Sequence, residues 1–168
     1  MKKMKRLVAV LLAGIMALAM LTACGGTPSA PVTRDEALEK SVAEWTVELG
    51  KGANLELTQD ATLTSISDKC LSAMVKIYEA KDEDAAKAAE KELKKAFVAA
   101  TKGKKVAPVA VYIPGTKVTK DALAQAVQND MSNIQTDLER FGVNKPTKFG
   151  VTATKQKDYT LIFFMVSE

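Results

Sequence analysis

The sequence predicts an α/β (α+β) fold, a three-layer α/β/α sandwich with about four helices and a mixed or antiparallel sheet. Three observations support this prediction. Apolar residues recur at helical spacing in four segments of residues 34–168. The last apolar run, residues 161–166, shows no polar alternation, so both of its faces need cover. The predicted order, three helices, a strand, a helix and two strands, supplies helices for both faces.

The composition is that of one globular domain, and it excludes several kinds of site. The chain has 168 residues, of which 47% are apolar and 26% charged, which argues against disorder. It contains no histidine, which excludes a Ser-His-Asp triad, a Cys-His dyad and any metal site that needs imidazole. Its two cysteines are too few for a disulfide framework. We therefore predict no catalytic, metal-binding or cofactor-binding residues and no cofactor.

Residues 1–23 predict a lipoprotein signal peptide. The first six residues carry four basic side chains, and residues 7–21 form an uncharged apolar stretch. This stretch is shorter than the roughly 20 residues of a membrane-spanning helix. The segment Leu21-Thr22-Ala23-Cys24 resembles the lipobox of bacterial lipoproteins. The alternatives are an uncleaved anchor helix and an ordinary signal peptide followed by a cysteine.

The lipobox resemblance implies lipidation of Cys24, which becomes the first residue of the mature protein. The partner is then the bacterial cell membrane, with the chain anchored by lipid on its extracytoplasmic face. Residues 24–33 comprise this cysteine and a flexible tether, since they are small and polar and include two prolines. Residues 34–168 form the single α/β/α domain.

The charge balance of the mature chain argues against nucleic acid as a partner. The whole sequence has a net charge of +4 from 24 basic and 20 acidic residues. Four of the basic residues lie in the first six positions, so the rest of the chain is balanced. Nucleic-acid binders need a basic excess in the folded domain to neutralise phosphates.

The first predicted helix follows a capping-box pattern, in which Thr33 and Glu36 stand three residues apart. Apolar residues then recur at helical spacing until Gly50 and Gly52, which favour a helix end. The predicted core-facing residues are Leu38, Val42, Trp45 and Leu49. The single tryptophan lies on this stripe, which indicates a core residue rather than a platform for a ligand.

A second helix is predicted to begin near Asp60, after a short extended piece at residues 54–57. Its core-facing residues are Leu63, Ile66, Cys70, Met74 and Ile77. A nucleophilic thiol needs a lowered pKa from a histidine or a basic neighbour in a cleft. We therefore expect Cys70 to be a small core residue. If Cys24 carries lipid, Cys70 has no partner for an internal disulfide.

A third helix is predicted over residues 82–102, with acidic residues at its start and lysines towards its end, as the helix dipole favours. We interpret Asp82 and Asp84 as helix-start residues rather than an acid–base pair, because opposed pKa values require burial. The basic end predicts a solvated face; the alternative is contact with anionic lipid headgroups or wall polymers.

The remaining segments predict a strand, a helix and a hairpin. The strand covers residues 106–113 and is interrupted by Pro108. A fourth helix begins at Thr119 and ends before Gly142. Its predicted inner face comprises Leu123, Val127, Ile134, Leu138 and Phe141. The hairpin pairs strands at 149–154 and 159–166 around a polar turn at 156–158.

Three short segments resemble the SCP-like extracellular domains, also called the CAP superfamily. Residues 57–67 are similar to that family's L-x-x-D-x-x-L-x-x-x-A helix opening. Asn133-Ile134 resembles the end of its H-x-x-N-I motif, and Phe149-Gly150-Val151 resembles its I-G-V strand. The resemblance implies a CAP-like fold for residues 34–168.

The family's metal cleft does not carry over to this chain. In the family, two histidines and two acidic residues line a cleft that binds a divalent metal. The histidine of H-x-x-N-I falls on Asp130, and the second histidine and the G-E-N motif have no counterpart. The sequence also lacks phosphate-binding glycine loops, a nucleophile elbow and an EF-hand loop. The resemblance is therefore to a CAP domain that has lost its metal cleft.

These observations predict a membrane-anchored extracytoplasmic lipoprotein that acts as a non-catalytic binding or interaction domain. Its predicted partners are the membrane, through lipid on Cys24, and a protein or cell-wall component. The alternative is an extracytoplasmic cell-wall or peptide hydrolase that uses carboxylates or a Ser/Lys pair. A concave pocket with convergent carboxylates of perturbed pKa would distinguish the two.

Overall fold

The structure, a computed structural model, describes residues 32–168. This part of the chain forms five helices and four strands. In order they are α1 (Glu36–Gly52), β1 (Thr58–Gln59), α2 (Ala61–Glu79), α3 (Glu83–Thr101), β2 (Ala107–Pro114), α4 (Lys120–Asn129), α5 (Met131–Arg140), β3 (Lys148–Lys155) and β4 (Tyr159–Ser167). The predicted signal peptide, Cys24 and tether residues 24–31 lie outside the described residues.

The four strands form one mixed sheet in the order β1-β3-β4-β2. β1 runs parallel to β3, whereas β4 is antiparallel to both of its neighbours. β4 is therefore an internal strand, which explains why its sequence is apolar on both faces. Phe163 packs in the core on one side of the sheet and Phe164 in the core on the other. The predicted α+β fold and the two-sided last strand are confirmed.

Helices cover both faces of the sheet and create two separate cores. On one face, α2 and α3 pack on the odd-numbered residues of β4, with Leu93 and Phe97 of α3 in the core. On the other face, α1 and α4 pack against alternating residues of β2, β3 and β4, with Val42 and Leu123 buried. The predicted three layers follow, because each face of the sheet is apolar and each is covered.

Side-chain caps define where most of these helices begin. The four capping residues accept a hydrogen bond from a backbone N–H three residues later, and they are Asp35, Asp60, Asp82 and Thr119. The cap of α1 is thus Asp35 and not Thr33, whose carbonyl accepts a hydrogen bond from Thr154 Oγ1 at 2.8 Å. The predicted starts of α2 and α3 are confirmed.

The helix predicted to run from Thr119 to Gly142 is two helices, α4 and α5, which meet at Asp130. Aspartate competes with helical hydrogen bonds through its side chain and so favours a break. Asp130 also accepts a hydrogen bond from the Asn133 amide. Because of the break, α5 has no fully buried residue and packs beside β2.

Gly150 of β3 brings the start of α2 into direct contact with the sheet. A Cβ at this position would lie 2.0 Å from the backbone nitrogen of Thr64 and 2.1 Å from the carbonyl carbon of Leu63. The neighbouring carbonyl of Phe149 accepts a hydrogen bond from the Asp60 N–H at 2.7 Å. Two of the three segments that carry the CAP resemblance, residues 57–67 and 149–151, are thus in contact.

The outer edge of β3 beyond β1 is closed by side chains and by the segment that leads into α1. The Asp35 N–H donates to the Ala153 carbonyl at 2.8 Å. The Ala153 N–H donates to Glu39 Oε1 at 2.9 Å. These two bonds satisfy a strand edge that no further strand covers.

The outer edge of β2 is protected by prolines. Phe149 and Ala153 of β3 direct their backbone groups away from β4. The observed register then directs the backbone N–H and C=O groups of the even-numbered β2 residues away from β4. Two of these residues, Pro108 and Pro114, have no N–H to offer a further strand.

The helices of residues 32–168 include none that is both long and apolar enough to cross a bilayer.

Candidate functional site

The three tyrosines of the chain come together at one end of the sheet. The ring centroids of Tyr78 and Tyr112 are 5.7 Å apart with planes inclined by 14°. Those of Tyr112 and Tyr159 are 5.1 Å apart and inclined by 24°. Tyr78 and Tyr159 complete the triangle at 6.2 Å and 35°. We call these three residues the tyrosine cluster.

Three different elements position the cluster. Tyr78 lies in the last turn of α2, Tyr112 lies in β2, and Tyr159 is the first residue of β4. Tyr112 is 43% exposed, while the other two are half-buried against the core beneath α2 and α3. The result is an aromatic surface with a buried base and one accessible ring.

Hydrogen bonds between two turns hold the cluster's end of the sheet together. Gly115 follows β2 with φ of 82°, a conformation that favours glycine. Its N–H donates to the Asp158 carbonyl at 2.8 Å. Its own carbonyl accepts from Thr160 Oγ1 at 3.0 Å. The turn after β2 is thereby joined to the β3–β4 hairpin beside Tyr159.

Burial and nearby carboxylates keep the hydroxyls of Tyr78 and Tyr159 protonated. Burial, and then the charge of Asp130, raises the pKa of Tyr78 to about 12. Burial, and then the charge of Glu79, raises the pKa of Tyr159. The Tyr159 hydroxyl is buried and has no hydrogen-bond partner within residues 32–168. At neutral pH these hydroxyls are therefore neutral, with two carboxylates acting on them.

The chain enters the domain at the same end of the sheet. Val32 packs against the core that also holds Tyr78 and Tyr159. The Thr33 carbonyl accepts from Thr154 Oγ1, at the end of β3 that precedes the hairpin turn. The last two residues of the predicted tether, 32 and 33, thus already contact the domain.

A buried ion pair holds this part of the chain in place. Glu39 is 6% exposed, and both of its carboxylate oxygens accept hydrogen bonds from Arg34. Arg34 also contacts Asp68 of α2 at 3.5 Å. A charge-assisted bidentate pair of this kind restrains orientation as well as position. Lys155 adds an ion pair to Asp35 at 2.6 Å.

The structure places most of the sequence-predicted candidates in structural roles. Cys24 lies outside the described residues. Cys70 is fully buried, and burial raises the pKa of its thiol to about 12, so it is a core residue. Asp82 caps α3, and Asp84 lies exposed in its first turn. Trp45 is partly buried against the core beneath α1.

No group of three or more Cys, Asp or Glu side chains in residues 32–168 is arranged to hold a metal ion. Asp130 acts electrostatically on Tyr78 and accepts a hydrogen bond from the Asn133 amide. Ser67, which is buried between α2 and the sheet, donates its hydroxyl proton to the Phe163 carbonyl, so its oxygen accepts from Thr152 Oγ1. Its hydroxyl is engaged in packing α2 on the sheet.

Asp137 of α5 has a carboxyl group whose pKa is raised well above its ordinary value. Burial raises the pKa of Asp137 to about 6, with Arg140 opposing this effect and Asp130 adding to it. Asp130 immediately precedes α5, seven residues before Asp137. A carboxyl group whose pKa is raised towards neutrality is one requirement for acid–base chemistry.

A shallow concavity of about 500 Å³ lies along the outer side of α1 near Gln59. Its charged lining residues are Lys40, Glu44, Glu48 and Lys51. This open surface carries both signs of charge, with the two glutamates between the two lysines. This pattern is typical of a solvated helix face.

Sequence reasoning did not identify the tyrosine cluster. The three tyrosines are far apart in the chain and belong to three elements, so no local spacing connects them. The sequence predicts the hairpin and the internal position of β4. It does not predict that Tyr112 of β2 lies next to Tyr159. The contact of Tyr78 depends on how α2 crosses the sheet.

No protein family, no curated protein and no solved structure matches this chain.

Proposed function

We propose that this chain is a membrane-anchored extracytoplasmic lipoprotein whose domain is a non-catalytic binding module, with the tyrosine cluster as its contact surface. One observation carries the proposal. All three tyrosines converge at the end of the sheet where the chain enters the domain. A lipid on Cys24 and a partner on the cluster would then lie on the same side of the domain.

Tyrosine suits a binding surface for physical reasons. It offers a large apolar ring and a polar tip, and it loses little conformational entropy on binding. Tyrosine is also enriched among the residues that dominate binding energy in interfaces. Tyr112 is one of four large apolar residues that are exposed in the described chain, and it alone belongs to an aromatic cluster.

The length of the tether places the binding surface close to the membrane. Eight residue steps separate Cys24 from Val32. A fully extended chain covers at most about 3.6 Å per residue, so the domain is held within about 30 Å of the bilayer. The partner is therefore a component of the membrane surface or of the adjoining wall.

The proposal includes a CAP-like origin for the domain. Its support is the contact of the two resembling segments through Asp60, Phe149 and Gly150. Asp130, which stands where the family pattern has a histidine, acts electrostatically on Tyr78, so the proposal does not include the family's metal cleft. On this proposal, the domain retained a CAP-like framework and acquired an aromatic surface.

The anchor is tested with Cys24→Ser in a bacterial host. We expect the variant to leave the membrane fraction or to accumulate as unprocessed precursor. Cys70→Ala is the matched control, because it removes the other cysteine and should keep the lipid. Mass spectrometry of the mature N-terminus then identifies the modified residue. An unmodified Cys24 in the membrane-bound wild-type protein would contradict the anchor.

The contact surface is tested by photo-crosslinking in intact cells. A photoreactive phenylalanine replaces Tyr112 in one variant and Val98, an exposed residue of α3, in the control. We expect a discrete adduct at position 112 that disappears when Cys24→Ser is added, and none at position 98. The absence of any adduct specific to position 112 would contradict the proposed surface.

A second candidate, an extracytoplasmic cell-wall or peptide hydrolase, rests on Asp137. A pKa of about 6 suits a general acid near neutral pH. Asp130, just before the same helix, adds to the raised pKa of Asp137. Purified cell wall and casein provide substrates for a direct assay, and this candidate requires turnover that Asp137→Asn abolishes.

A further inference from the structure

The chain enters the domain along a path that leads towards the tyrosine cluster. The Asp35 N–H donates to the Ala153 carbonyl at the outer edge of β3. Two residues earlier, the Thr33 carbonyl accepts from Thr154 Oγ1 at 2.8 Å, and Val32 packs against the core beneath α2 and α3. Followed back from Asp35, the chain therefore turns from the edge of β3 onto the face of the sheet that holds the cluster.

A row of directly paired residues connects this entry point to Tyr112. Thr154 of β3 lies opposite Leu161 of β4, and Leu161 lies opposite Tyr112 of β2. Paired residues project from the same face of a sheet, and Leu161 belongs to the core beneath α2 and α3. Tyr159 lies two residues from Leu161 and packs against the same core. With about 4.8 Å between strands, the row from Thr154 to Tyr112 is about 10 Å long.

The residues that precede Val32 can cover this distance with apolar groups on one side. Residues 28–31 are Pro-Ser-Ala-Pro. A polyproline II helix has three residues per turn and rises about 3.1 Å per residue, so Pro28 and Pro31 would project from the same side, about 9 Å apart. Each proline restricts its own backbone and that of the residue before it. Ordering this segment on a surface therefore costs little conformational entropy.

The chemistry of the cluster fits such a segment. Proline-rich segments in the polyproline II conformation bind to surfaces that are lined by aromatic rings. The Tyr159 hydroxyl is buried and has no hydrogen-bond partner among residues 32–168. A polyproline II segment has no internal hydrogen bonds, so its backbone carbonyls can accept from this hydroxyl.

The charges around the cluster suit an uncharged segment. The carboxylates of Glu79 and Asp130 act on the tyrosine hydroxyls, whereas Lys157 is exposed in the hairpin turn that precedes Tyr159. The surroundings thus carry both signs of charge. Residues 25–31 carry no charged side chain, so they need no net potential of either sign.

We propose that residues 28–31 bind to the tyrosine cluster of their own chain as a polyproline II segment, which we call the proline strap. Pro31 contacts Tyr159, whose hydroxyl donates to a carbonyl group of the strap. Pro28 contacts the exposed ring of Tyr112. A partner that binds the cluster has to displace the strap, and this consequence alone rests on the proposed function.

The test measures how fast tetranitromethane nitrates Tyr112 in the purified mature protein. Mass spectrometry of the digested protein quantifies nitration at each of the three tyrosines separately. The test variant combines Pro28→Ala with Pro31→Ala. We expect nitration of Tyr112 to become at least about twofold faster in this variant, since a strap that covers the ring at least half of the time shields it by that factor.

Two control variants separate a bound strap from a tether that merely contains prolines. Ser29→Ala changes a residue between the two prolines and should leave the nitration rate unchanged. Pro28→Ser combined with Ser29→Pro keeps the composition but removes the three-residue spacing, so it should also accelerate nitration of Tyr112. Thermal unfolding of each variant verifies that the domain is intact.

A photoreactive phenylalanine in place of Tyr112 identifies the segment that covers this position. In the purified protein we expect an intramolecular adduct with residues 25–31, which should weaken when Pro28→Ser and Ser29→Pro are combined. The same probe in place of Val98, an exposed residue of α3, should give no adduct with these residues.

Three outcomes would overturn the proposal. They are an unchanged nitration rate in the double alanine variant, a wild-type rate in the variant with altered proline spacing, and an adduct at position 112 that maps outside residues 25–31. Both assays use purified protein without a partner, so their failure would leave the proposed binding module standing. Conversely, the absence of a partner adduct in cells would leave the strap standing.

Discussion

The carboxylate of Glu39 in α1 accepts a hydrogen bond from the backbone N–H of Ala153 in β3 at 2.9 Å. The same carboxylate binds the guanidinium of Arg34 through both oxygens. One buried acidic side chain thus closes a strand edge, holds the start of the domain and joins α1 to the sheet. We expect this residue to contribute more to stability than a helix-start glutamate on the surface.

Glu39→Ala should destabilise the domain by about 2–4 kcal/mol. The substitution leaves the Ala153 N–H without its acceptor and Arg34 without its bidentate partner. Glu39→Gln should cost less, because the amide oxygen can still accept from Ala153. Glu36→Ala, an exposed change in the same turn, is the control and should cost under about 1 kcal/mol. Urea denaturation measures all three, and equal midpoints for Glu39→Ala and Glu36→Ala would contradict the role of the network.

Gly150→Ala should destabilise the domain by about 3 kcal/mol or more. Its Cβ would meet backbone atoms of Leu63 and Thr64, which cannot move aside as a flexible side chain can. Gly52→Ala is the matched control, because a Cβ at Gly52 meets no atom within 4 Å. Thermal unfolding compares the two variants with wild type. A well-folded Gly150→Ala protein with an unchanged melting temperature would show that α2 does not approach β3 this closely.

Phe163→Ala and Phe164→Ala should each cost about 3–5 kcal/mol. The two side chains fill different cores, and they are 0% and 6% exposed respectively. Domains of this size have a total stability of roughly 5–15 kcal/mol, so either loss is large. Val98→Ala, at a residue 58% exposed, is the control. If one of the two phenylalanine variants kept the wild-type denaturation midpoint, that face of the sheet would be open.

Asp137→Asn should change how stability depends on pH. The pKa of Asp137 is raised in the folded state from an ordinary value near 3.8 to about 6, mainly by burial. The folded state therefore binds more protons than the unfolded state in this window, and the contribution of Asp137 to stability falls as pH rises from about 4 to 6. The asparagine variant should lose this slope and be more stable than wild type at pH 7.

The measurement for Asp137 is the difference in unfolding free energy between variant and wild type across pH 3.5–7.5. The difference should grow between about pH 4 and 6 and then level off, at up to about 1 kcal/mol because the side chain is partly exposed. Glu139→Gln, an exposed change on the same helix, should give a flat difference. A flat difference for Asp137→Asn would show that its carboxyl group titrates normally.

The parts of the fold that the sequence predicts are those with local signals. Caps such as Asp60 and Asp82, and the two-sided apolar pattern of β4, depend on neighbours within a few residues. The break at Asp130 was missed because apolar residues continue at helical spacing across it. The α1 cap was assigned to Thr33 because Thr33 and Glu36 match the capping box, although Asp35 also suits that role.

The parts that the sequence does not predict depend on contacts between distant segments. Glu39 has the position of an ordinary first-turn acid, and only the approach of α1 to β3 makes it a buried acceptor. The tyrosine cluster likewise depends on the crossing of α2 over the sheet and on the pairing of β2 with β4. Neither arrangement leaves a spacing in the chain that could have revealed it.

Each side of the sheet carries an obstacle to pairing with a further strand. At β3 the outward groups of Ala153 are occupied by Glu39 and Asp35, and at β2 two of the four outward residues are prolines. Copies of a protein confined to a surface meet more often than copies in free solution, which raises the hazard of fibril-like growth through strand pairing. On the proposed membrane anchor, the blocked edges would let neighbouring copies remain separate folded units.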